Sequence, residues 1–364
     1  MTSPMTSSEN SSKHMLELGG SASCRGSTIF STILSILALI VSIATLCLVA
    51  IFYYQFESLN LTEIFLTTRK PPYVNLEWLS PVQLENYETF LFDVDGTLKN
   101  GDGYVPGSTE LIQQLRAKNK TVIIVSNSDW TLPADRAKSM NIGVDASHIV
   151  IPLVVLQNYE SISLKGKKVL ALAPPPVLNW LQENGAILLN TAWNHTRGST
   201  TSTAGILATL NEHPEVVIVD SWSDYDMEAI DRIANILARP EVQFYILSTD
   251  ASWRGEQHLI FSDGGSFYEA IKLITGRNAT GYGKPSANLN NYLKKTYNLE
   301  KAIMFGDNLN TDFIMANGLG IDSCLMIGTG VHSEMDWRRY YEEGQLDRRP
   351  SYKCSFLQLA QMNL

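Results

Sequence analysis

Four short stretches bring together residues that could move a phosphoryl group. Phe90-Leu91-Phe92-Asp93-Val94-Asp95-Gly96-Thr97 ends an apolar run in two carboxylates one residue apart, followed by glycine. Met304-Phe305-Gly306-Asp307 ends a second apolar run in an aspartate, and Asp312 follows five residues on. Between these stretches TVIIV at 121–125 runs into Ser126-Asn127, and Gly283-Lys284-Pro285-Ser286 places a lysine in a glycine-flanked loop. Phosphoryl transfer needs an in-line nucleophile and a group that protonates the leaving oxygen. One ionised and one protonatable carboxylate can divide those tasks. Ser126 offers a hydroxyl and neighbouring backbone N–H groups to phosphate oxygens, and Lys284 offers a cation. Asp93, Asp95 and Asp307 would repel one another without a divalent ion, and oxygen-only ligation points to Mg²⁺. A calcium loop is the competing meaning of Asp-x-Asp. It wants glycine at its sixth position and glutamate at its twelfth, where Leu98 and Tyr104 stand. A strand-end aspartate or a loop lysine is common singly. Three such carboxylates and a lysine are much less so.

For these residues to meet, the elements must end at one edge. Short β-branched runs alternate with amphipathic stretches, the pattern of a parallel sheet covered by helices. The runs expected as strands are 89–93, 121–125, 169–173, 216–220, 244–248, 302–307 and 323–328. Helices are expected after Pro106-Gly107-Ser108, across Pro133–Met140 and across Met227–Leu237. In parallel α/β sheets ligands sit beyond the carboxyl ends of the strands, where Asp93, Ser126 and Asp307 fall. The run from 169 to 248 forms a separate α/β block, inserted into the first.

DVDGT at 93–97, Ser126 closing the second strand, GKPS at 283–286 and GDNLNTD at 306–312 resemble the four motifs of the haloacid dehalogenase superfamily. The finer pattern resembles the branch with a large α/β cap between the second and third motifs, which includes 4-nitrophenylphosphatase, phosphoglycolate phosphatase and pyridoxal phosphate phosphatase. It extends from about Leu79 to near the C-terminus. The resemblance implies a Rossmann-like parallel α/β core with an inserted cap. It also implies a phosphatase of small phosphorylated metabolites, in which Asp93 attacks phosphorus and forms an aspartyl-phosphate. Asp95 would protonate the leaving oxygen and then activate water. Ser126, Asn127 and Lys284 would hold the phosphoryl oxygens. Mg²⁺ would be ligated by Asp93, the backbone carbonyl of Asp95 and Asp307, with Asp312 supporting its water shell. A homodimer through the cap is the assembly the resemblance allows. One departure stands beside the site: Ser128-Asp129-Trp130 replaces the Asn and Ser common in the branch. Asp129 is expected to add negative charge near the mouth and disfavour polyanionic substrates. Two other readings keep the fold: an idle, membrane-tethered scaffold, and a phosphotransferase that passes the phosphoryl group to an acceptor other than water.

The bulk properties fit this frame. The 364-residue chain carries a net charge of −9, which argues against non-specific nucleic-acid binding. Ile29–Tyr54 contains no charged residue. As a helix it would span about 39 Å, enough to cross a hydrocarbon core of roughly 30 Å. The expected organisation is a disordered tail at 1–28, a single transmembrane helix at 29–54 and a linker at 55–85. The core follows at 86–152, the cap at 153–276 and the rest of the core at 277–364. Arg25 before the span leans towards a cytoplasmic N-terminus, whereas the cytosolic setting of the family's relatives pulls the other way. Cys324 and Cys354, the two cysteines of the globular part, have no zinc-like spacing and are expected as reduced core thiols, with a single pairing between them as the alternative. Trp193, His195, the cluster Trp222–Tyr225 and Thr249-Asp250 are cap positions that could touch substrate.

Overall fold

The computed structural model describes residues 35–49, 73, 75–101, 103–189, 203–221, 225–254 and 259–360. The chain divides into two units, Met1–Pro72 and Tyr73–Leu364. In the first, residues 35–49 are helical with exposed side chains. Among the described residues no helix is long and apolar enough to cross a membrane. The tail, both ends of the expected span (29–34 and 50–54) and most of the linker lie outside the described residues.

Fifteen strands are described in the second unit. The core strands are β1 (Thr89–Phe92), β4 (Thr121–Val125), β5 (Ile149–Val150), β13 (Ala302–Gly306), β14 (Asp322–Met326) and β15 (Tyr352–Cys354). They pair throughout in parallel, in the order β15-β14-β13-β1-β4-β5. A parallel sheet is covered on both faces, so its strands are apolar without alternation. Accordingly every residue of β1 and β13 is buried. The small antiparallel pair β2 (Lys99–Asn100) and β3 (Gly103–Tyr104) follows the DVDGT turn.

The cap sheet is built from β6 (Lys168–Leu172), β7 (Ile187–Leu188), β8 (Val216–Val219), β9 (Gln243–Ile246) and β12 (Thr280–Gly281). Its order is β12-β9-β8-β6-β7, again all parallel. The cap sheet thus reaches Gly281, beyond the expected boundary at 276. The antiparallel hairpin β10 (Ser252–Arg254) and β11 (Ile260–Ser262) projects between β9 and the helix Gly264–Thr275. The chain enters the cap through the helix Pro152–Glu160, whose Val155 and Leu156 are fully buried. These residues join a continuous apolar core shared by the core sheet and one face of the cap sheet. Packing on the other cap face forms a separate cluster around Ile233, Phe267 and Ile271.

Cys324 and Cys354 are joined as a disulfide between β14 and β15, with Cα atoms 5.9 Å apart. The expectation of reduced thiols is corrected. Side-by-side strands bring together two positions separated by 30 residues, and spacing in the chain carries no trace of that.

Candidate active site

Asp93 follows the last residue of β1, and its N–H donates to the carbonyl of Phe305 on β13. The neighbouring strand therefore fixes where Asp93 leaves the sheet. The next turn needs Gly96, whose φ of +82° is one that residues with a Cβ rarely adopt. Its carbonyl accepts from Thr329 Oγ1 at 2.8 Å. Asp95, just before it, is exposed and faces the cavity. A proton donor to a leaving group needs that position.

Lys284 is almost completely buried, and its Nζ donates to Asp93 Oδ1 and, at 2.8 Å, to Asp312 Oδ1. A buried ammonium is tolerated only when paired and hydrogen-bonded. Burial alone would lower its pKa, but the charges of Asp312, Asp93 and Asp250 outweigh burial and hold it raised. The lysine is held at its backbone too. Its N–H donates to Asn127 Oδ1 at 2.7 Å, and its carbonyl accepts from Asn127 Nδ2 at 3.1 Å and from Thr249 Oγ1 at 2.6 Å. Asn127, expected on the phosphoryl oxygens, lines the cavity, and its side chain positions Lys284. Gly283 lets this loop approach so closely, because a Cβ there would meet Asn127 Oδ1 at 2.6 Å.

Ser126 Oγ accepts from the N–H of Ser128 at 3.2 Å and from Arg136 Nη1 at 3.3 Å. With its oxygen accepting twice, the hydroxyl proton is left to donate to a phosphoryl oxygen. Arg136 is buried, and its Nη2 donates to the carbonyl of Ser128 at 2.9 Å. Sequence reasoning missed it. Within the helix Pro133–Met140 it reads as one more amphipathic position.

Asp93, Asp307 and Asp312 bring their carboxylate oxygens within 4.8 Å of one another. Asp312 is already taken: besides Lys284, it accepts from the N–H groups of Asp307 and Asn308, each at 3.1 Å. Asp307 Oδ2 accepts from the N–H of Val331 at 2.7 Å. Among the described residues, Asp93 Oδ2 and Asp307 Oδ1 have no protein donor. Burial pushes Asp93 up to about 8, with Asp312 and Asp95 adding to the shift and Lys284 opposing it. Burial, and then Asp93 and Asp312, raise Asp307 well above the usual carboxylate range. Two buried carboxylates with free, facing oxygens and too little positive charge are the donor set a hard divalent cation takes. The residues present fit Mg²⁺.

The site opens into a cavity of about 550 Å³ between core and cap. Tyr225 and Asp250 line it, as their place in the chain suggested. Thr249 does not line it but braces Lys284. Trp193, His195 and residues 222–224 lie outside the described residues. Asp129, expected to charge the mouth, is fully buried below the site and accepts from the N–H of Leu153 at 3.0 Å. It holds the entry to the cap and does not face substrate.

Residues 90–187 match the family model described as haloacid dehalogenase-like hydrolase, and residues 281–352 match one described as HAD-hydrolase-like. The chain belongs to the haloacid dehalogenase-like hydrolases. Among similar proteins, one described as a putative NipSnap protein of Caenorhabditis elegans is 26% identical over 63% of this chain. The chain spans 46% of that relative's length. Mouse Chronophin is 26% identical over 72% of this chain and 88% of its own. The solved 4-nitrophenylphosphatase of Thermotoga maritima shares the haloacid dehalogenase fold with a TM-score of 0.59. It is 20% identical, over 77% of this chain and 99% of that one.

Proposed function

We propose that this protein is a Mg²⁺-dependent phosphatase that hydrolyses small phosphomonoesters through an aspartyl-phosphate on Asp93. Its enzyme class is phosphoric monoester hydrolase. The observation that carries the reading is the buried Lys284 ammonium joining Asp93 and Asp312 beside the donor hydroxyl of Ser126. That is an anion site built against a nucleophile.

Mg²⁺, held by Asp93, Asp307 and the backbone carbonyl of Asp95, would supply positive charge against the nucleophile and the phosphoryl oxygens. The Asp93 carboxylate attacks phosphorus while Ser126 and Lys284 hold phosphoryl oxygens. The bond to the leaving oxygen breaks, and that oxygen takes its proton from Asp95. Asp95, now a carboxylate, removes a proton from water. The water oxygen attacks phosphorus and frees Asp93 and phosphate. The relatives named for acting on 4-nitrophenyl phosphate and glycerol 3-phosphate support a small substrate.

We place the enzyme on a membrane through the uncharged run at 29–54, on the strength of its length and composition. A dimer through the cap belongs to the same reading by family likeness. The test is phosphate release from 4-nitrophenyl phosphate by the full chain in detergent, with Mg²⁺ and with EDTA, beside Asp93→Asn. Metal-dependent turnover that disappears in the variant is expected. A folded protein as silent as its variant on a broad ester panel would sink the proposal.

A further inference from the structure

The cavity that holds the phosphoryl site is lined by acidic and aromatic groups. Six aspartates line the cavity against one cation, Lys284, whose ammonium is bound to Asp93 and Asp312. Among the described residues no arginine or histidine lines it. The buried guanidinium of Arg136 is turned onto Ser126 and the Ser128 carbonyl. With Asp93, Asp307 and Asp312 assigned to nucleophile, metal and lysine, and Asp95 to the leaving oxygen, Asp250 and Asp263 remain from the cap. Asp250 Oδ1 accepts from Asn308 Nδ2 at 3.0 Å, which places it beside the Asp307 turn. Asp263 caps the helix Gly264–Thr275 and also holds the Ser221 hydroxyl. Among the described residues neither makes a salt bridge to a lysine or arginine, although the Lys284 charge reaches Asp250, and the charge of Asp95 acts on Asp263. A leaving group released at Asp95 therefore lies in the field of Asp263.

The hairpin β10–β11 adds a flat apolar wall. Trp253 stacks on Phe261 with ring centroids 4.7 Å apart, and both rings line the cavity while more than two-fifths exposed. Trp130 joins them from the core side. Aromatic faces beside unpaired carboxylates attract organic cations, by ring quadrupole and by charge. The same surroundings repel a carboxylate or a second phosphate.

We propose that the cap selects phosphomonoesters whose organic part carries an ammonium or quaternary ammonium group, through Asp250, Asp263 and the Trp253–Phe261 wall. The proposal rests on the phosphatase reading and adds the substrate class. It also moves the bias against polyanions from Asp129, which is buried elsewhere, to two cap carboxylates.

The test is kcat/KM for phosphocholine, O-phosphoethanolamine, glycerol 3-phosphate and 2-phosphoglycolate on the full-length protein in detergent with Mg²⁺. Turnover of 4-nitrophenyl phosphate serves as reference. Phosphocholine should exceed 2-phosphoglycolate by about 100-fold, a free-energy difference that a pair of facing charges can supply. Asp263→Asn keeps the helix cap, since Asn caps as well as Asp, and should shrink that ratio about tenfold. Asp250→Asn should act the same way. A general loss of folding or activity moves both esters together and leaves the ratio unchanged. If 4-nitrophenyl phosphate is hydrolysed but the ratio is at or below one, the substrate class is wrong and the phosphatase stands. If no ester is hydrolysed, the phosphatase reading fails, and calorimetric titration with phosphocholine and 2-phosphoglycolate decides the rest. Tighter binding of phosphocholine would uphold cation selection, and equal or weaker binding would overturn it.

Discussion

Lys284 has two duties that a substitution separates. In the proposed reaction its ammonium would hold phosphoryl oxygens, and in the structure it neutralises Asp93 and Asp312. Lys284→Met should therefore lower kcat by about 10²–10³-fold and also leave buried carboxylates without a partner. That second effect costs about 3–5 kcal/mol, readable by urea unfolding in EDTA. Added Mg²⁺ should recover part of the stability and none of the rate. Arg136 acts at one remove. Arg136→Met takes a donor from Ser126 Oγ and should lower kcat/KM about tenfold, the worth of one hydrogen bond to a charged group. Arg136→Lys should restore part of it. A purely structural arginine would alter unfolding and leave KM for 4-nitrophenyl phosphate unchanged.

Where core meets cap, two elements end in carboxyl groups with no ion partner on their free oxygens. Asp129 follows β4 by four residues and Asp220 follows β8 by one; both are fully buried, and Oδ2 of each has no hydrogen-bond partner among the described residues. Burial pushes Asp129 up to about 7, and burial together with Asp129 itself raises Asp220 well above the carboxylate range. Arg136 tempers the first, while Asp263 adds to the second. A folded-state pKa above the unfolded value means that the native state binds more protons between about pH 4 and pH 7. Stability then falls as pH rises through that window, because the pair must give up its proton or unfold. Asp129→Asn removes one of the two buried charges that act on each other. Its unfolding free energy at pH 8 should rise by about 2 kcal/mol, while at pH 5 it should scarcely change. Thermal melts across pH check this, and a variant as pH-dependent as the parent would refute the pair.

At the scale of the molecule, strand-end chemistry was legible and lateral contacts were not. DVDGT, TVIIVS and GDNLNTD each couple an apolar run to a polar end, and the parallel core sheet brings those ends together, while GKPS follows the cap strand β12. Position in the chain could therefore stand in for position in space. The roles of Arg136 and Asn127 depend on which side-chain atom meets which neighbour, and composition does not encode that. Asp129 looked like a mouth residue because it follows Ser126 closely, yet the backbone turns inward there to reach the helix Pro152–Glu160. The hairpin β10–β11 has only three residues per strand, too short for its alternation to show against the loops around it.

The clasp on the Lys284 backbone joins parts of the chain with different origins. Asn127 comes from the core and Thr249 from the end of a cap strand, and both fasten the peptide units of one catalytic residue. The cap is thus moored at the lysine itself, whose ammonium reaches Asp93 and Asp312. Swinging the cap outward would strain the Thr249 bond and disturb the residue that grips phosphate, so an open cap and a competent lysine oppose each other. Release of product and disarming of the catalyst become one movement, and a phosphorylated Asp93 would meet bulk water only when the machinery around it is already slack.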